Sequence, residues 1–151
     1  MDERDDAAVV TWLRLARVYH QIQQAVTAQL RQHGLTLAQF DVLAQIGADE
    51  GLTQQELADR LLVTKGNISQ LVDRMAQAGL VERLPEGRVC RLALTCRGHA
   101  LRDEVLPVHE LLITRQLSGL CREDKETLRR LLRDLDRTLG RAGQQPAVPG
   151  R

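Results

Sequence analysis

Between Leu52 and Thr95 the chain carries two helix-start signals one helix apart, then a helix rich in basic and amide side chains, then a short hairpin whose turn holds an arginine. Thr53-x-x-Glu56 has the form of a capping box, in which each side chain satisfies the other residue's backbone N–H. It opens a helix expected to end near Leu62, with Leu57, Leu61 and Leu62 on its buried side. Thr64 caps the next helix, where Ile68, Leu71, Val72 and Met75 recur at i, i+3, i+4 and i+7 and so face inward together. Lys65, Asn67, Gln70 and Arg74 are left pointing outward. Gly79 stops this helix, and Leu80-Val81 begins a strand. Pro85-Glu86-Gly87 is turn chemistry, with proline presetting the first turn position. The return strand, 88–94, alternates Cys90, Leu92 and Leu94 with Val89, Arg91 and Ala93. Such an order of parts presents one helix to a DNA major groove and a wing to the groove beside it.

The flanking segments are helical by pattern. From Ala8 to about His33, Trp12, Leu15, Tyr19, Ile22, Val26 and Leu30 form one stripe, stopped by Gly34. Thr36-x-x-Gln39 is another capping box, starting a helix that carries Phe40, Leu43 and Ile46 and breaks at 47–51. Thr95 caps a helix bearing Leu101, Val105, Val108 and Leu112, in which Pro107 predicts a kink. After Ser118-Gly119, Leu128, Leu131, Leu132, Leu135 and Leu139 form an apolar edge amid charges. Residues 141–151 have no periodicity and are expected to be a disordered tail. The long outer helices carry more apolar surface than a small central domain covers, so a second copy of the chain is the expected partner. The fold class expected is mainly α with a small β-wing. Residues 35–95 form a winged helix-turn-helix domain, and residues 1–34 and 96–140 supply dimerisation helices.

Composition narrows the function classes. The whole chain has a net charge of only +1, but 53–102 holds eight Lys or Arg against five acids. This local bias points to a polyanion and to salt-sensitive binding. Trp12, Tyr19 and Phe40 are the only aromatics of the Phe, Trp and Tyr class, too few for a platform that stacks single-stranded bases. No apolar run has the length of a membrane span, and the acidic start at 1–6 is unlike a signal peptide. The three cysteines, 90, 96 and 121, form no CxxC pair, which fits a reducing, cytoplasmic setting. His20, His33, His99 and His109 have neither i, i+4 spacing nor an HExxH motif, so neither a metal nor any other cofactor is expected. No nucleophile with its base, glycine-rich phosphate loop or acid pair argues for an enzyme.

Leu35-Thr36-x-x-Gln39, the run 51–58 (Gly-Leu-Thr-Gln-Gln-Glu-Leu-Ala), the run 63–75 from Val63 to Met75, Gly79-Leu80-Val81-Glu82-Arg83 and Leu94-Thr95-x-x-Gly98 together resemble the MarR family of bacterial regulators. The motifs span most of the chain in order. The resemblance implies a homodimer with a winged helix-turn-helix in each subunit, the first and last two helices intertwining. It also implies repression from palindromic operators, with release when a small aromatic ligand, an oxidant or a metal changes the spacing of the two reading helices. The family's wing commonly has an Asp with neighbouring arginines on a longer loop, whereas Leu84-Pro85-Glu86-Gly87-Arg88 is a few residues shorter; Arg88 matches the tip arginine that enters the minor groove.

Lys65, Asn67 and Gln70 are the expected base or phosphate contacts, amides being able to pair bidentately with adenine. Thr64, Ser69 and Arg74 suit phosphates, although Arg74 could instead pair with Asp73 or a wing acid. Arg88 is assigned to the minor groove. Thr53 and Gln54 can set backbone donors against a phosphate, or Thr53 can be a cap alone. Trp12, Tyr19 and Phe40 are candidate contacts for a small aromatic effector, with core packing as the commoner fate of such rings. Cys121, at the start of the last helix, is a candidate redox thiol or a replacement for a serine cap, while Cys90 is expected to be buried. The expected function is a double-stranded DNA-binding transcriptional regulator acting as a homodimeric repressor. The alternatives are a winged-helix protein-interaction module and a thiol-based sensor.

Overall fold

The computed structural model describes residues 6–142. Its elements run α1 (Asp6–Arg31), α2 (Leu37–Ala48), α3 (Gln54–Leu61), α4 (Lys65–Gln77), β1 (Val81–Glu86), β2 (Val89–Leu94), α5 (Cys96–Gln116) and α6 (Arg122–Ala142). The chain divides into two compact units, the first ending at Ile113 and the second starting at Thr114.

Local chemistry sets the boundaries in the first unit. Thr36 Oγ1 accepts the Gln39 N–H at 3.2 Å while Gln39 Oε1 accepts the Thr36 N–H at 2.9 Å. The same reciprocal pair opens α3, with Thr53 and Glu56 at 3.1 and 2.8 Å. Acceptance of the Thr53 backbone N–H, with the Thr53 hydroxyl second, holds the Glu56 carboxyl below the usual carboxylate range. Gly34 and Gly79 take positive φ just beyond α1 and α4, the left-handed turn that ends a helix.

One core joins the unit. Val26 and Leu30 of α1, Phe40, Leu43 and Ile46 of α2, Leu57 of α3, Ile68, Val72 and Met75 of α4, Leu92 and Leu94 of β2 and Val105 of α5 are all buried in it. β1 and β2 pair antiparallel from Val81↔Leu94 to Glu86↔Val89. Gly51 N donates to Leu92 O at 3.0 Å and Leu92 N to Leu52 O at 2.8 Å, so the loop before α3 forms a third, minimal strand beside β2. α5 presses on this sheet through Gly98, where a Cβ would lie 2.0 Å from Leu80 O. Pro107 lies inside α5, whose helical assignment continues without interruption to Gln116.

Several expectations are corrected. Leu62 is not on the buried side of α3: it is the C-cap, with φ 53° and ψ 39°, and is 89% exposed. The strand begins at Val81 rather than Leu80. Pro85 is not a turn residue but pairs with Cys90 inside the hairpin, and the reversal is made by Gly87-Arg88 alone. Gly87 has φ +61°, as the first central position of a type II′ turn requires. Because the pair flanking a two-residue turn is the hydrogen-bonded one, the next pair is not, and Pro85 deprives the ladder of no donor. Cys90 is exposed because the hairpin projects beyond the core at that point, and Ala93 is buried along with Leu92 and Leu94. Helix α6 reaches Ala142, two residues into the stretch expected to be a tail; the remainder, 143–151, lies outside the described residues.

The apolar stripe of α1 is buried only toward its end. Val26 and Leu30 are in the core, whereas Val9, Trp12, Leu13, Val18 and Tyr19 are exposed. In the second unit, Leu131, Leu132, Leu135 and Leu139 of α6 are likewise exposed.

Candidate nucleic-acid interface

Helix α4 has two chemically distinct faces. Ile68, Val72 and Met75 are fully buried against α2, α3 and the sheet, while Lys65, Asn67, Gln70 and Arg74 are exposed on the other side and Ser69 lies at the border. Thr64 caps the helix, its Oγ1 accepting the Asn67 N–H at 3.2 Å; the hydroxyl proton remains available to an outside acceptor. The exposed face thus begins at a helix N-terminus, where backbone N–H groups and the dipole favour negative charge. An open groove of about 340 Å³ runs between α2, α3 and α4, with Asp41, Leu61, Val63, Asn67, Gln70 and Arg74 in its lining. Burial raises the Asp41 carboxyl above the usual range.

The cations separate into two sets. Arg60 pairs with Asp49 at 2.6 Å, and Arg83 with Asp73 at 2.6 Å. Arg91 binds Glu86 at 2.5 Å and the Gly51 carbonyl at 2.9 Å. Arg97 donates to the Ala78 carbonyl at 2.9 Å, and Arg102 pairs with Asp103 at 3.1 Å. Among the described residues of this stretch, Lys65, Arg74 and Arg88 are the cations with neither an ion pair nor a carbonyl partner. They lie at the start of α4, on its exposed face and in the wing turn. Asp73 is engaged by Arg83 and Glu86 by Arg91, so Arg74 is left outward-facing and does not make the acid pairing that had been its alternative role.

Thr53 is committed to its capping box and bridges to Arg91, while Gln54 Oε1 accepts Arg83 Nη2 at 3.4 Å. Arg83 therefore links β1 to α3 and α4, and Arg91 links β2 to the loop before α3. Both residues were missed as site-building residues. A signal for Arg83 existed in strand alternation, since it shares the face of buried Val81 one step beyond the core; for Arg91 the hairpin brings Glu86 close in sequence, but the Gly51 carbonyl that ties it to the loop before α3 is 40 residues away and leaves no local trace.

The aromatic candidates are not alike. Phe40 is 3% exposed in the core, its ring 4.5 Å from that of His109 at an interplanar angle of 49°. Burial lowers the His109 pKa. Trp12 and Tyr19 are 63% and 59% exposed on α1. In the second unit, Cys121 caps α6: its Sγ accepts the Asp124 N–H at 3.4 Å and lies 3.1 Å from Asp124 Oδ2. Among the described residues no three His, Cys, Asp or Glu side chains are grouped to hold a metal, and no helix is long and apolar enough to cross a membrane.

Residues 33–89 match the family model described as MarR family. An uncharacterised helix-turn-helix-type transcriptional regulator of Bacillus cereus is 40% identical over 96 residues, which cover 64% of this chain and 65% of that protein's length. The helix-turn-helix-type transcriptional repressor MdtR of Bacillus subtilis is 30% identical over 115 residues, 74% of each chain. Among solved structures, a mutant of Escherichia coli MarR in complex with operator DNA superposes with a TM-score of 0.79 at 25% identity, over 89% of this chain and 99% of that one.

Proposed function

The chain belongs to the MarR family of DNA-binding transcriptional regulators, and we propose that it works as a homodimeric repressor reading a pseudo-palindromic operator. One α4 lies in the major groove of each half-site, with half-site centres roughly 34 to 36 Å apart. Lys65, Asn67 and Gln70 meet base edges or nearby phosphates, Thr64, Ser69 and Arg74 meet phosphates, and Arg88 of the wing approaches the adjacent minor groove. Thr53 and Gln54 support this surface from the start of α3. The observation that carries the reading is the charge sorting: five of eight cations are held by acceptors within the chain, and the three left over are on α4 and the wing turn. Repression is supported by the name of the B. subtilis relative, and DNA engagement by the operator complex of the E. coli neighbour.

Self-association is supported by leucines 131, 132, 135 and 139 on α6 and by the exposed stripe of α1, which a single chain leaves in water. A small aromatic effector has Trp12 and Tyr19 as exposed ring surface, whereas Phe40 is reached only if the contact with His109 opens. The test is selection of bound duplexes from a random pool, followed by titration of the winning sequence with salt. Gln70→Ala is expected to relax base preference at one position per half-site. Arg88→Ala is expected to weaken selected and random duplexes alike and to flatten the salt dependence. Parent-like binding of both sequences by both variants overturns these contacts.

A further inference from the structure

We propose that Leu62 is a specificity-determining residue whose side chain packs on the C5-methyl group of a thymine at the edge of each half-site. This rests on the reading that α4 docks on duplex DNA. Leu62 is the C-cap of α3 and the one non-glycine residue with positive φ among the described residues; the other four such positions, Gly34, Gly51, Gly79 and Gly87, are all glycine. A leucine held left-handed brings its Cβ against the backbone, a cost glycine does not bear. The backbone there makes ordinary capping bonds, Leu62 N to Asp59 O at 3.3 Å and Val63 N to Ala58 O at 3.1 Å, which glycine would make equally well.

Nor does the isobutyl group help the fold. At 89% exposure it is the most exposed large apolar side chain among the described residues. A strained residue that gains nothing inside the chain points to work done outside it. Its surroundings identify the partner. Leu62 stands two residues ahead of the α4 cap Thr64, and exposed Thr64, Lys65 and Asn67 follow it within one helical turn, which puts it beside the start of α4. The unpaired Lys65 and the α4 N-terminus select a polyanion. On a duplex, the apolar group displayed at the base edges of the major groove is the thymine methyl.

The experiment uses the duplex selected by the parent protein and replaces each thymine in turn by uracil, removing only the methyl. The parent is expected to lose about fourfold in affinity per half-site at one symmetric position, the value of one buried methyl-sized group. Leu62→Gly and Leu62→Asn, both at ease with positive φ, are expected to melt no lower than the parent, to bind the thymine duplex as weakly as the parent binds its uracil form, and to be indifferent to uracil at that position. The proposal is overturned if both variants bind the selected duplex as the parent does, or if parent and variants lose equally at every uracil. A relaxed preference in Gln70→Ala beside an unaffected Leu62→Gly removes Leu62 but keeps the α4 reading. A parent that prefers no duplex removes both.

Discussion

Gly98 is the position where the sign and size of a perturbation follow most directly from geometry. A Cβ placed there would lie 2.0 Å from Leu80 O, 3.0 Å from Leu80 C and 3.4 Å from Leu94 Cβ. The obstacle is backbone, so no rotamer change can relieve it; α5 must retreat by about 1 Å from the Leu80 peptide that leads into β1. That retreat stretches the seam formed by Thr95 N to Leu80 O at 3.1 Å, Thr95 Oγ1 to Gly79 O at 2.6 Å and Gly98 N to Thr95 Oγ1 at 3.0 Å. Overpacking costs about 1–3 kcal/mol, and one weakened seam bond adds about 1 kcal/mol. Alanine's better helix propensity returns about 1 kcal/mol. The net loss expected for Gly98→Ala is about 1–3 kcal/mol, or a Tm lowered by about 2–12 °C for a chain of this size. Thermal unfolding followed by far-ultraviolet circular dichroism, at one fixed protein concentration, reads this directly. An unchanged or raised Tm would show that α5 does not press on the sheet as described.

Gly66 supplies the opposite case, since an added Cβ in the first turn of α4 meets nothing within 4 Å. Gly66→Ala is expected to raise stability by up to about 1 kcal/mol and, on the proposed docking of the α4 backbone close to a phosphate, to weaken binding to the selected duplex; unchanged binding refutes that approach. Arg83→Met breaks the exposed pair with Asp73 and the contact with Gln54. Such a pair contributes only about 0–1 kcal/mol to stability, so duplex affinity is expected to fall while the melting temperature hardly moves, and an equal loss of both would make Arg83 merely structural. Burial depresses the His109 pKa, so the folded chain binds a proton there less readily than the unfolded chain. Stability is therefore whole above the ordinary histidine range and declines as pH falls through it toward the depressed folded value. Denaturant titrations from pH 7.5 to 5.5 should show this decline in the parent and a reduced one in His109→Gln; equal slopes refute the assignment.

What was legible in the sequence was what chemistry settles within a few residues. The capping boxes at Thr36 and Thr53, the inward stripe Ile68, Val72 and Met75 and the glycine stops at 34 and 79 each depend on neighbours no more than a turn or two away. Leu62 was misplaced because a leucine one position past Leu61 extends an apolar pattern whether or not the helix continues, and only the backbone reveals that it has already turned left-handed. Pro85 read as a turn because proline suits turns, yet the register of the hairpin gives it a position facing away from the ladder. Cys90 followed the alternation of its strand correctly but lies beyond the reach of the core, an extent that alternation does not encode.

Charge shows the same limit and yields a further quantitative expectation. Counted along the chain, 53–102 has eight cations, but in three dimensions five of them are occupied. If those pairs persist on DNA, each subunit brings only Lys65, Arg74 and Arg88 to phosphates as unpaired cations. Six such contacts in a dimer release counterions with a log–log salt slope of about −5. A slope near that value, measured by fluorescence anisotropy between 50 and 300 mM salt, keeps Arg60, Arg83 and Arg91 as internal braces. A slope far steeper means that these arginines leave Asp49, Asp73 and Glu86 for the duplex. Arg83→Met and the corresponding substitution of Arg91 would then each reduce the slope, which braces that never touch phosphate cannot do.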